Sequence, residues 1–226
     1  MTRVGTAVFC VALVALAALT LIKGPATIQT ASAQSQAAKV SYAPIPGGEY
    51  VIDPPHSLIG FSIRHFEINW VQGRFKDFKG VIRYDESDVT KSSVSFTAKI
   101  ESVDTGVAPR DQHLRTADFF DAAKYPEMTF KSTRVERKGK DGFLLHGDFT
   151  LKGVTKQIAI PFTLTGAIKD PKGGTRFGIE AHTKIDRREY GFSGGKPMEG
   201  GGIDVGNEVT INLYLEALKP EPKPAS

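Results

Sequence analysis

Apolar and polar residues alternate along most of the chain between residues 50 and 218. In the segment 59–63, for example, every second residue is isoleucine or phenylalanine. A period of two places the apolar side chains on one face of a β-strand and the polar side chains on the other. The alternation predicts half-buried strands over residues 59–64, 94–100, 143–151, 158–168, 177–185 and 209–215.

One strand segment changes phase near Asp77. Its first apolar series ends at Phe75 and a new one begins at Phe78, so a β-bulge is predicted between them. Further strands are predicted at 128–135 and, as a short opening strand, at 50–52. About eight or nine strands joined mostly by short turns fit a closed barrel or a β-sandwich. We favour an all-β, eight-stranded antiparallel barrel, whose interior is just wide enough for side chains or one slender ligand.

One stretch, residues 108–120, shows no alternation. Pro109 stands at a suitable first helical position, and helical spacing places Leu114, Ala117 and Phe120 on one face. The stretch therefore predicts a short helix laid across a barrel mouth. A long insertion of this kind in a barrel usually acts as a plug or a lid near a functional site.

The N-terminus is typical of a secretory signal peptide. Arg3 precedes an apolar run over residues 8–22, and the sequence Ala-Ser-Ala ends at Ala33. The run is about 15 residues long, shorter than the roughly 20 that a membrane-spanning helix needs, which disfavours an uncleaved anchor. We predict a signal peptide over 1–33 with cleavage after Ala33, a periplasmic or secreted location, and no stable membrane insertion after cleavage.

Composition predicts one folded unit between two flexible segments. Residues 34–48 are rich in Ala, Ser, Gln, Pro and Gly, and residues 220–226 are rich in Pro. The predicted domain between them covers residues 49–219, and the sequence shows no internal repeat.

Charge and cysteine content exclude several kinds of site. The chain has a formal net charge of +4, and loss of Arg3 and Lys23 with the signal peptide would leave +2. Without a strong basic excess or clustered Lys and Arg, no nucleic-acid partner is predicted. Cys10, the only cysteine, lies inside the apolar run. The exported chain would therefore have no disulfide, cysteine nucleophile or thiolate metal site.

The inward-facing apolar residues fit either a solid core or a ligand tunnel, and composition favours the tunnel. The chain contains 14 phenylalanines and one tryptophan. Glycines within the strand segments suggest space beside aromatic walls. These glycines are Gly60, Gly73, Gly80, Gly147 and Gly166. The predicted tunnel residues are Phe61, Ile63, Phe75, Phe96, Phe130, Phe149, Phe162 and Leu164.

Three basic side chains on the predicted mouth helix are candidates for headgroup binding. Arg110, His113 and Arg115 are suited to hold a phosphate, carboxylate or quinone group through charge-assisted hydrogen bonds. The alternative is that Arg110 and Asp111 only tie the helix to neighbouring strands, with acidic side chains as partners, and the sequence does not decide between the two. The acidic candidates are Asp104, Asp118 and Asp121.

No catalytic or metal site is predicted. The five histidines show no H-x-H or H-x-x-x-H spacing, so a zinc site would need three scattered strands to converge. Asp53, His56 and Ser57 suggest a catalytic triad, but no G-x-S-x-G elbow is present, and turn chemistry is the simpler explanation. The glycine-rich residues 191–202 are predicted to form a flexible loop or, alternatively, a second gate at the mouth.

Six fragments in order resemble the YceI-like family of small periplasmic lipid-binding barrels, and together they cover essentially all of residues 49–218. The most specific runs from Arg110-Asp-x-His113-Leu-Arg115 through Asp118-Phe-Phe-Asp121 to Tyr125-Pro-Glu-Met128. The others are Tyr50-Val-Ile-Asp53 with Pro-Pro-His56-Ser57, Gly60-Phe-Ser-Ile-Arg-His65, residues 71–80, Gly147-Asp-Phe-Thr-Leu-Lys-Gly-Val-Thr155 and Asp186-Arg187-x-x-Tyr190-Gly191.

This resemblance implies a lipocalin-like extended barrel whose interior takes an isoprenoid or other long amphiphilic chain, with no cofactor and no established catalytic activity. The predicted function is therefore periplasmic binding, transport or storage of a polyisoprenoid or similar lipid. A lipid-modifying enzyme acting through His113 or His56 is one alternative, and a solid-core module that binds a protein on its outer face is another. The identity of the lipid and a possible homodimer are left open.

Overall fold

The computed structural model describes residues 42–171 and 173–219, which form an antiparallel β-barrel with one short α-helix. The helix, α1, spans Ala108–Arg115. The strands are β1 (Gly48–Ile52), β2 (Leu58–His65), β3 (Asn69–Phe75), β4 (Phe78–Tyr84), β5 (Ser93–Lys99), β6 (Val103–Asp104), β7 (Glu127–Lys138), β8 (Gly142–Leu151), β9 (Val154–Lys169), β10 (Thr175–Asp186) and β11 (Val205–Lys219).

The eleven segments form eight strands of a closed barrel, because three pairs of segments are halves of single strands. β1 and β2 both pair with β11, β1 also pairs with β4, and β2 pairs with β3. β3 continues into β4, and their partners β6 and β5 are likewise one interrupted strand. The remaining strands pair in chain order from β7 to β11, and the β1–β11 pairing closes the barrel. The predicted eight-stranded antiparallel barrel is therefore confirmed.

The three interruptions lie side by side, at residues 53–57, 76–77 and 100–102. Across them the Lys76 N–H donates to the Ser102 carbonyl at 3.2 Å and the Lys99 N–H donates to the Asp77 carbonyl at 2.9 Å. The predicted phase change near Asp77 is present, as a two-residue break between β3 and β4. Each break shifts the inward-facing position by one residue, so both halves of the strand direct apolar side chains into the barrel.

The α1 end of the barrel carries the longest connections. Because consecutive strands are antiparallel, connections alternate between the two ends. The β2–β3 turn, the segment 105–126 with α1, the β8–β9 turn and the segment 187–204 therefore share this end. The connections β4–β5, β7–β8 and β9–β10 share the opposite end.

The helix α1 is shorter than the predicted span of 108–120 and ends at Arg115. The Thr116 N–H and hydroxyl both donate to the His113 carbonyl, at 3.1 and 2.7 Å, which closes the last turn. Residues beyond Thr116 turn back instead of continuing the helix, and the Phe120 N–H donates to the Leu114 carbonyl at 3.0 Å. Ala117 is consequently exposed and does not share an apolar face with Leu114 and Phe120. The described residues include no helix long and apolar enough to cross a bilayer.

Part of the segment predicted to be flexible, 34–48, packs against the barrel. Ala43 and Ala167 exchange two backbone hydrogen bonds, of 3.0 and 2.8 Å, and Ile45 is buried. The first strand then begins at Gly48. The predicted signal peptide, residues 34–41 and the tail 220–226 lie outside the described residues.

Candidate ligand-binding cavity

The barrel encloses a cavity of about 510 Å³ that is lined almost wholly by apolar side chains. This volume lies within the roughly 300–1,000 Å³ of typical small-molecule sites. All eight residues predicted to line a tunnel do line this cavity: Phe61, Ile63, Phe75, Phe96, Phe130, Phe149, Phe162 and Leu164. Its length runs from residues near the α1 end, such as Leu114, to residues near the opposite end, such as Tyr84. The barrel is thus hollow, which argues against the solid-core alternative.

Two strand glycines, Gly73 and Gly147, help to keep the cavity open, but not by leaving empty space as predicted. A Cβ at Gly73 would lie 2.3 Å from Cζ of Phe61, and a Cβ at Gly147 would lie 2.4 Å from Cζ of Phe130. The glycines therefore do not leave empty space themselves. At these two positions the absence of a side chain leaves room beside the wall for the neighbouring aromatic ring, which therefore need not project further into the cavity.

A row of aromatic rings crosses the α1 end of the cavity. Phe61 contacts Phe75, Phe75 contacts Phe120, and Phe120 contacts Phe192, with ring centroids 5.8, 5.8 and 5.3 Å apart. Phe120 comes from the segment after α1 and Phe192 from the segment after β10. These two loop residues extend the apolar wall beyond the strands, and strand periodicity alone did not identify them.

The charged residues that line the cavity are all basic and lie at the α1 end. They are Arg64, Arg110 and Arg187, together with His65 and His113, and none of the described Asp or Glu residues lines the cavity. Among the described residues, none of the three arginines has a carboxylate within 4.0 Å. An apolar cavity with a cationic end is suited to a ligand that has a long hydrocarbon part and a polar or anionic head.

Arg110 lies on α1, as the sequence predicts, and is held by Thr105. Its Nε donates to the Thr105 hydroxyl at 2.7 Å and its Nη2 donates to the Thr105 carbonyl at 3.0 Å. The buried Asp111 accepts from the Thr105 N–H at 2.8 Å and from its hydroxyl at 2.6 Å. The guanidinium orientation is therefore fixed by neutral partners, and its charge stays available to a ligand.

Arg187 is a cavity residue that the sequence analysis missed. Its Nε and Nη2 donate to the carbonyls of Gly206 and Val205, at 2.9 and 3.1 Å, and the residue is only 8% exposed. Burial lowers the pKa of the guanidinium, an effect partly offset by the charges of Asp204 and Asp186. The inward parity of Ala181 and Ile185, extended by two residues, would have identified Arg187.

The structure brings Arg110 and His113 to the cavity and leaves Arg115 outside it. The Nε of Arg115 donates to the Glu101 carbonyl at 2.8 Å and its Nη2 donates to the Val103 carbonyl at 3.0 Å. Arg115 thus ties α1 to the residues below it, through two backbone carbonyls and the Glu101 carboxylate at 3.5 Å, and not through Asp104, Asp118 or Asp121. His113 is mostly exposed at the rim, with Nε2 3.6 Å from the Asp118 carboxylate and its ring against Phe119.

A separate polar cluster on the outside of the barrel surrounds Arg176. This side chain bonds Asp53 at 2.5 Å and Asp170 at 2.8 Å, and it also bonds Glu216. The Arg176 bonds hold the pKa of Asp53 below its ordinary value, with a second contribution from His56. They also raise the pKa of Arg176.

In the described residues this outer cluster forms no triad, and its two candidate carboxylate ligands for a metal are already bonded to Arg176. Ligand atoms of Asp53, His56 and Glu216 lie within 4.8 Å of one another, and the Arg176 guanidinium bonds both carboxylates, so a cation would have to compete with it. His56 Nδ1 is 2.9 Å from Asp53, as a triad requires. The Ser57 hydroxyl instead accepts from the Glu216 N–H at 2.9 Å, so no serine is paired with the histidine in the described residues.

Tyr190 carries a buried hydroxyl without a hydrogen-bond partner among the described residues. The residue is 1% exposed, and its ring packs edge-on against Phe149 of the cavity wall at 5.6 Å. Burial disfavours the phenolate and raises the pKa of Tyr190 to about 12. The hydroxyl therefore stays protonated at physiological pH.

Comparisons with known proteins agree with this architecture. The YceI-like domain matches residues 50–217. Protein YceI of Escherichia coli is 43% identical over 144 residues, which cover 63% of this chain and 75% of the relative. The crystal structure of the Campylobacter jejuni YCEI protein is 32% identical, with a TM-score of 0.61 over 70% of this chain and 91% of the other.

A polyisoprenoid binding domain from Saccharophagus degradans, implicated in plant cell wall breakdown, has a similar fold. It is 15% identical, with a TM-score of 0.56 over 77% of this chain and all of the other. At this identity the likeness concerns the fold alone. The domain match over residues 50–217, supported by the 43% identical relative, places the chain in the YceI-like family.

Proposed function

We propose that the protein is an exported binding protein that carries or stores a long-chain amphiphilic lipid, of the polyisoprenoid class, inside its barrel. The observation that carries this proposal is the charge distribution of the cavity. Apolar side chains line its length, and the charged side chains that line it within residues 42–171 and 173–219, which include Arg110 and Arg187, lie at the α1 end. A lipid fits with its hydrocarbon chain along the barrel and its head at the arginines.

The energetics support sequestration of such a chain. Each methylene moved from water to an apolar wall contributes about 0.8 kcal/mol, so ten of them contribute about 8 kcal/mol before binding costs. The head adds charge-assisted hydrogen bonds to guanidinium donors. Binding of this kind shields apolar surface from water and requires no bond to be made or broken.

The relatives support the lipid class. The fold of the chain is similar to that of a domain named for polyisoprenoid binding. The N-terminal sequence typical of a signal peptide supports passage through the periplasm, where a lipid moving between membranes needs a carrier. Transport, storage and the periplasmic location are parts of the proposal.

A non-catalytic role is also part of the proposal. Nucleophilic catalysis needs a hydroxyl or thiol within hydrogen-bond reach of a base. In the described cavity wall, the Thr105 hydroxyl donates to Asp111 and accepts from Arg110, which holds it in the structural link between α1 and its neighbours, and no histidine is bonded to it. The rim histidine, His113, is paired with Asp118. If His113→Ala, in a folded protein, stopped turnover of a bound lipid, this part would be wrong and the enzymatic alternative would stand.

The test is mass spectrometry of organic extracts from the protein purified out of its native host. We expect one class of long-chain amphiphile in near-stoichiometric amount. The variant Ile211→Trp places bulk inside the cavity on β11, and the retained lipid should fall to a small fraction. Its matched control is Thr210→Trp, the adjacent residue on the opposite strand face, which should retain lipid like the unaltered protein. Equal retention in both variants, or an extract without lipid, would contradict the proposal.

A further inference from the structure

The β2–β3 turn at the α1 end exposes three large apolar side chains. Ile68 is 81% exposed, Phe66 is 46% exposed and Trp70 is 42% exposed. Single exposed apolar residues are common on protein surfaces, but three within five residues at the tip of one turn form a small hydrophobic patch. We call residues 66–70 the apolar tip.

The backbone of the apolar tip does not favour the residues that occupy it. Phe66 and Glu67 both have left-handed φ angles, of 50° and 58°. Glycine, asparagine and aspartate are the residues that adopt this conformation readily, and a bulky aromatic residue is strained there. Turn formation therefore does not explain Phe66, and strain of this kind is typical of functional positions.

The apolar tip lies next to the mouth of the cavity. Ile63 and His65 of β2 and Val71 of β3, the residues that flank the turn, line the cavity. The Phe66 N–H donates to the Asp204 carbonyl at 2.7 Å, which fastens the turn to the segment 187–204. A lipid that leaves the α1 end of the barrel would emerge beside the tip.

The segment 191–202, whose glycines predict a flexible loop or a gate, borders the tip and is joined to its neighbours by several hydrogen bonds. Pro197 and Ile203 form an antiparallel bridge, and the Asp204 carboxylate accepts from the Lys196 N–H at 2.7 Å. The Gly195 N–H donates to the Asn207 side chain at 3.0 Å. These bonds make the segment a small hairpin that borders the apolar tip.

The charges near the tip favour a lipid surface. The Arg64 guanidinium lies over the Trp70 ring, 4.9 Å from its centroid, and has no carboxylate within 4.0 Å among the described residues. Glu67 is the acidic residue of the turn, and the bordering hairpin carries charges of both signs, Lys196 and Glu199. Arg110 and Arg187 stand at the mouth behind it. Tryptophan beside arginine is the combination that membrane interfaces attract, because both side chains have an apolar body and a polar end.

We infer that the apolar tip docks on the surface of a lipid bilayer, so that the α1 end of the barrel faces the membrane during lipid exchange. A protein partner is the weaker occupant, because a specific protein interface buries about 800 Å² on each side and a five-residue turn offers much less. A bilayer accepts an isolated apolar point, which inserts among the headgroups while the rest of the protein stays in water. The biological reason for docking rests on the proposed lipid cargo. Binding to vesicles can be measured whether or not that cargo is correct.

Trp70 allows the docking to be measured directly, because it is the only tryptophan of the chain. The protein is mixed with vesicles of phosphatidylethanolamine and phosphatidylglycerol, and separately with vesicles of phosphatidylcholine. We expect the Trp70 emission to shift to shorter wavelength and the protein to sediment with the vesicles. Binding should be tighter to the anionic vesicles and should weaken with salt, because the arginines at the mouth have no direct carboxylate partner among the described residues.

Two isoleucines provide a matched pair of variants. Ile68→Ser removes the most exposed residue of the tip, and Ile168→Ser removes an exposed isoleucine from β9 at the opposite end of the barrel. We expect Ile68→Ser to bind vesicles about tenfold more weakly and Ile168→Ser to bind like the unaltered protein. Phe66→Asn, which suits the left-handed backbone, should also weaken vesicle binding without lowering Tm. All variants have the same N-terminal apolar run. Any vesicle binding by that run is therefore equal in all of them and does not affect the comparison.

Several results would overturn the inference. It fails if neither vesicle type changes the Trp70 emission, or if both isoleucine variants bind equally. It also fails if the emission shift occurs without vesicles and grows with protein concentration, since the tip would then contact a second copy of the chain. If the tip variants lose vesicle binding while lipid never copurifies with any form, docking stands and the proposed cargo is wrong.

Discussion

Arg176 and the cavity arginines are the same side chain in opposite electrostatic surroundings. Arg176, outside the barrel, bonds three carboxylates that come from β11 and from two connecting segments. Arg110 and Arg187, at the cavity, are held by a hydroxyl and by backbone carbonyls, with no carboxylate within 4.0 Å among the described residues. In the first arrangement carboxylates bond the guanidinium directly, and in the second the guanidinium has no direct carboxylate partner among the described residues.

The difference separates a residue that stabilises the barrel from residues placed for a ligand. A paired guanidinium contributes to folding, because its partners would otherwise repel one another. An unpaired guanidinium in an apolar cavity costs desolvation energy, which an anionic or strongly polar ligand group would offset. Removal of Arg176 should therefore lower stability and leave lipid binding unchanged. Removal of a cavity arginine should weaken lipid binding and change stability little.

The largest expected change in stability comes from Arg176→Met. The substitution leaves Asp53, Asp170 and Glu216 close together without their common partner, which should cost about 2–3 kcal/mol. For a domain of this size the Tm should fall by roughly 5–10 °C at neutral pH. Thermal unfolding measures the change, and lipid retention should be unaltered. Loss of lipid with an unchanged Tm would reverse the assignment of the two regions.

The effect of Arg176→Met should also depend on pH in a defined direction. The pKa of Asp53 is lowered below 3.8, so ionised Asp53 stabilises the fold above that pH. The contribution is lost as pH falls through the lowered pKa, because the carboxylate is then protonated in both states. The Tm difference between Arg176→Met and the unaltered protein should therefore narrow below about pH 3.8. A difference that stays constant down to low pH would show that the carboxylates do not carry the effect.

The next largest effect should be on binding, in Arg110→Met. The substitution removes a guanidinium from the cavity, and retention of a lipid with a polar head should weaken about tenfold. The Tm should change little, since only bonds to Thr105 are lost. Arg115→Met is the control on the same helix, because Arg115 ties α1 to Glu101 and Val103 outside the cavity. It should lower Tm and leave retention unchanged, and the opposite pattern would restore the headgroup role predicted for Arg115.

A smaller effect is expected from Gly73→Ala, which tests how the wall is built. The three atoms nearest to the added Cβ belong to the side chains of Phe61 and Thr105, and the contact should push the Phe61 ring into the cavity. We expect a shorter or less bulky lipid to be selected and a cost of about 1 kcal/mol from the displaced ring. Mass spectrometry of the retained lipid measures the first effect and thermal unfolding the second. An unchanged lipid profile would mean that the ring moves elsewhere than into the cavity.

The smallest effect is expected from Tyr190→Phe. Its hydroxyl is buried without a partner in the described residues, so removal should be neutral or stabilise the protein by up to about 1 kcal/mol. Equilibrium unfolding in urea provides the measurement. A clear loss of stability would show that the hydroxyl has a partner in solution, such as a bound water.

The barrel wall was predictable from the sequence because every strand has one buried face. The alternation of Phe61 with Ser62, or of Phe149 with Thr150, fixes the inward side without any knowledge of strand pairing. The length of α1 was predicted wrongly, because the hydrogen bonds of Thr116 to His113 end the helix where side-chain periodicity alone continues it.

The polar groups were harder to predict, because their environments depend on contacts between distant residues. The partners of Arg176 come from positions 53, 170 and 216, and only the barrel register brings them together. Arg110 was identified from its position in a segment without alternation. Arg187 was missed because it follows the last strand residue, although it keeps the inward parity of β10.

The most direct test of the central claim is a crystal structure of the protein with its copurified lipid bound. We predict electron density for a long chain along the barrel, with the polar head within hydrogen-bond distance of Arg110 or Arg187 and the tail directed toward Tyr84 and Phe177. A head at the opposite end, or a lipid bound outside the barrel, would contradict the account.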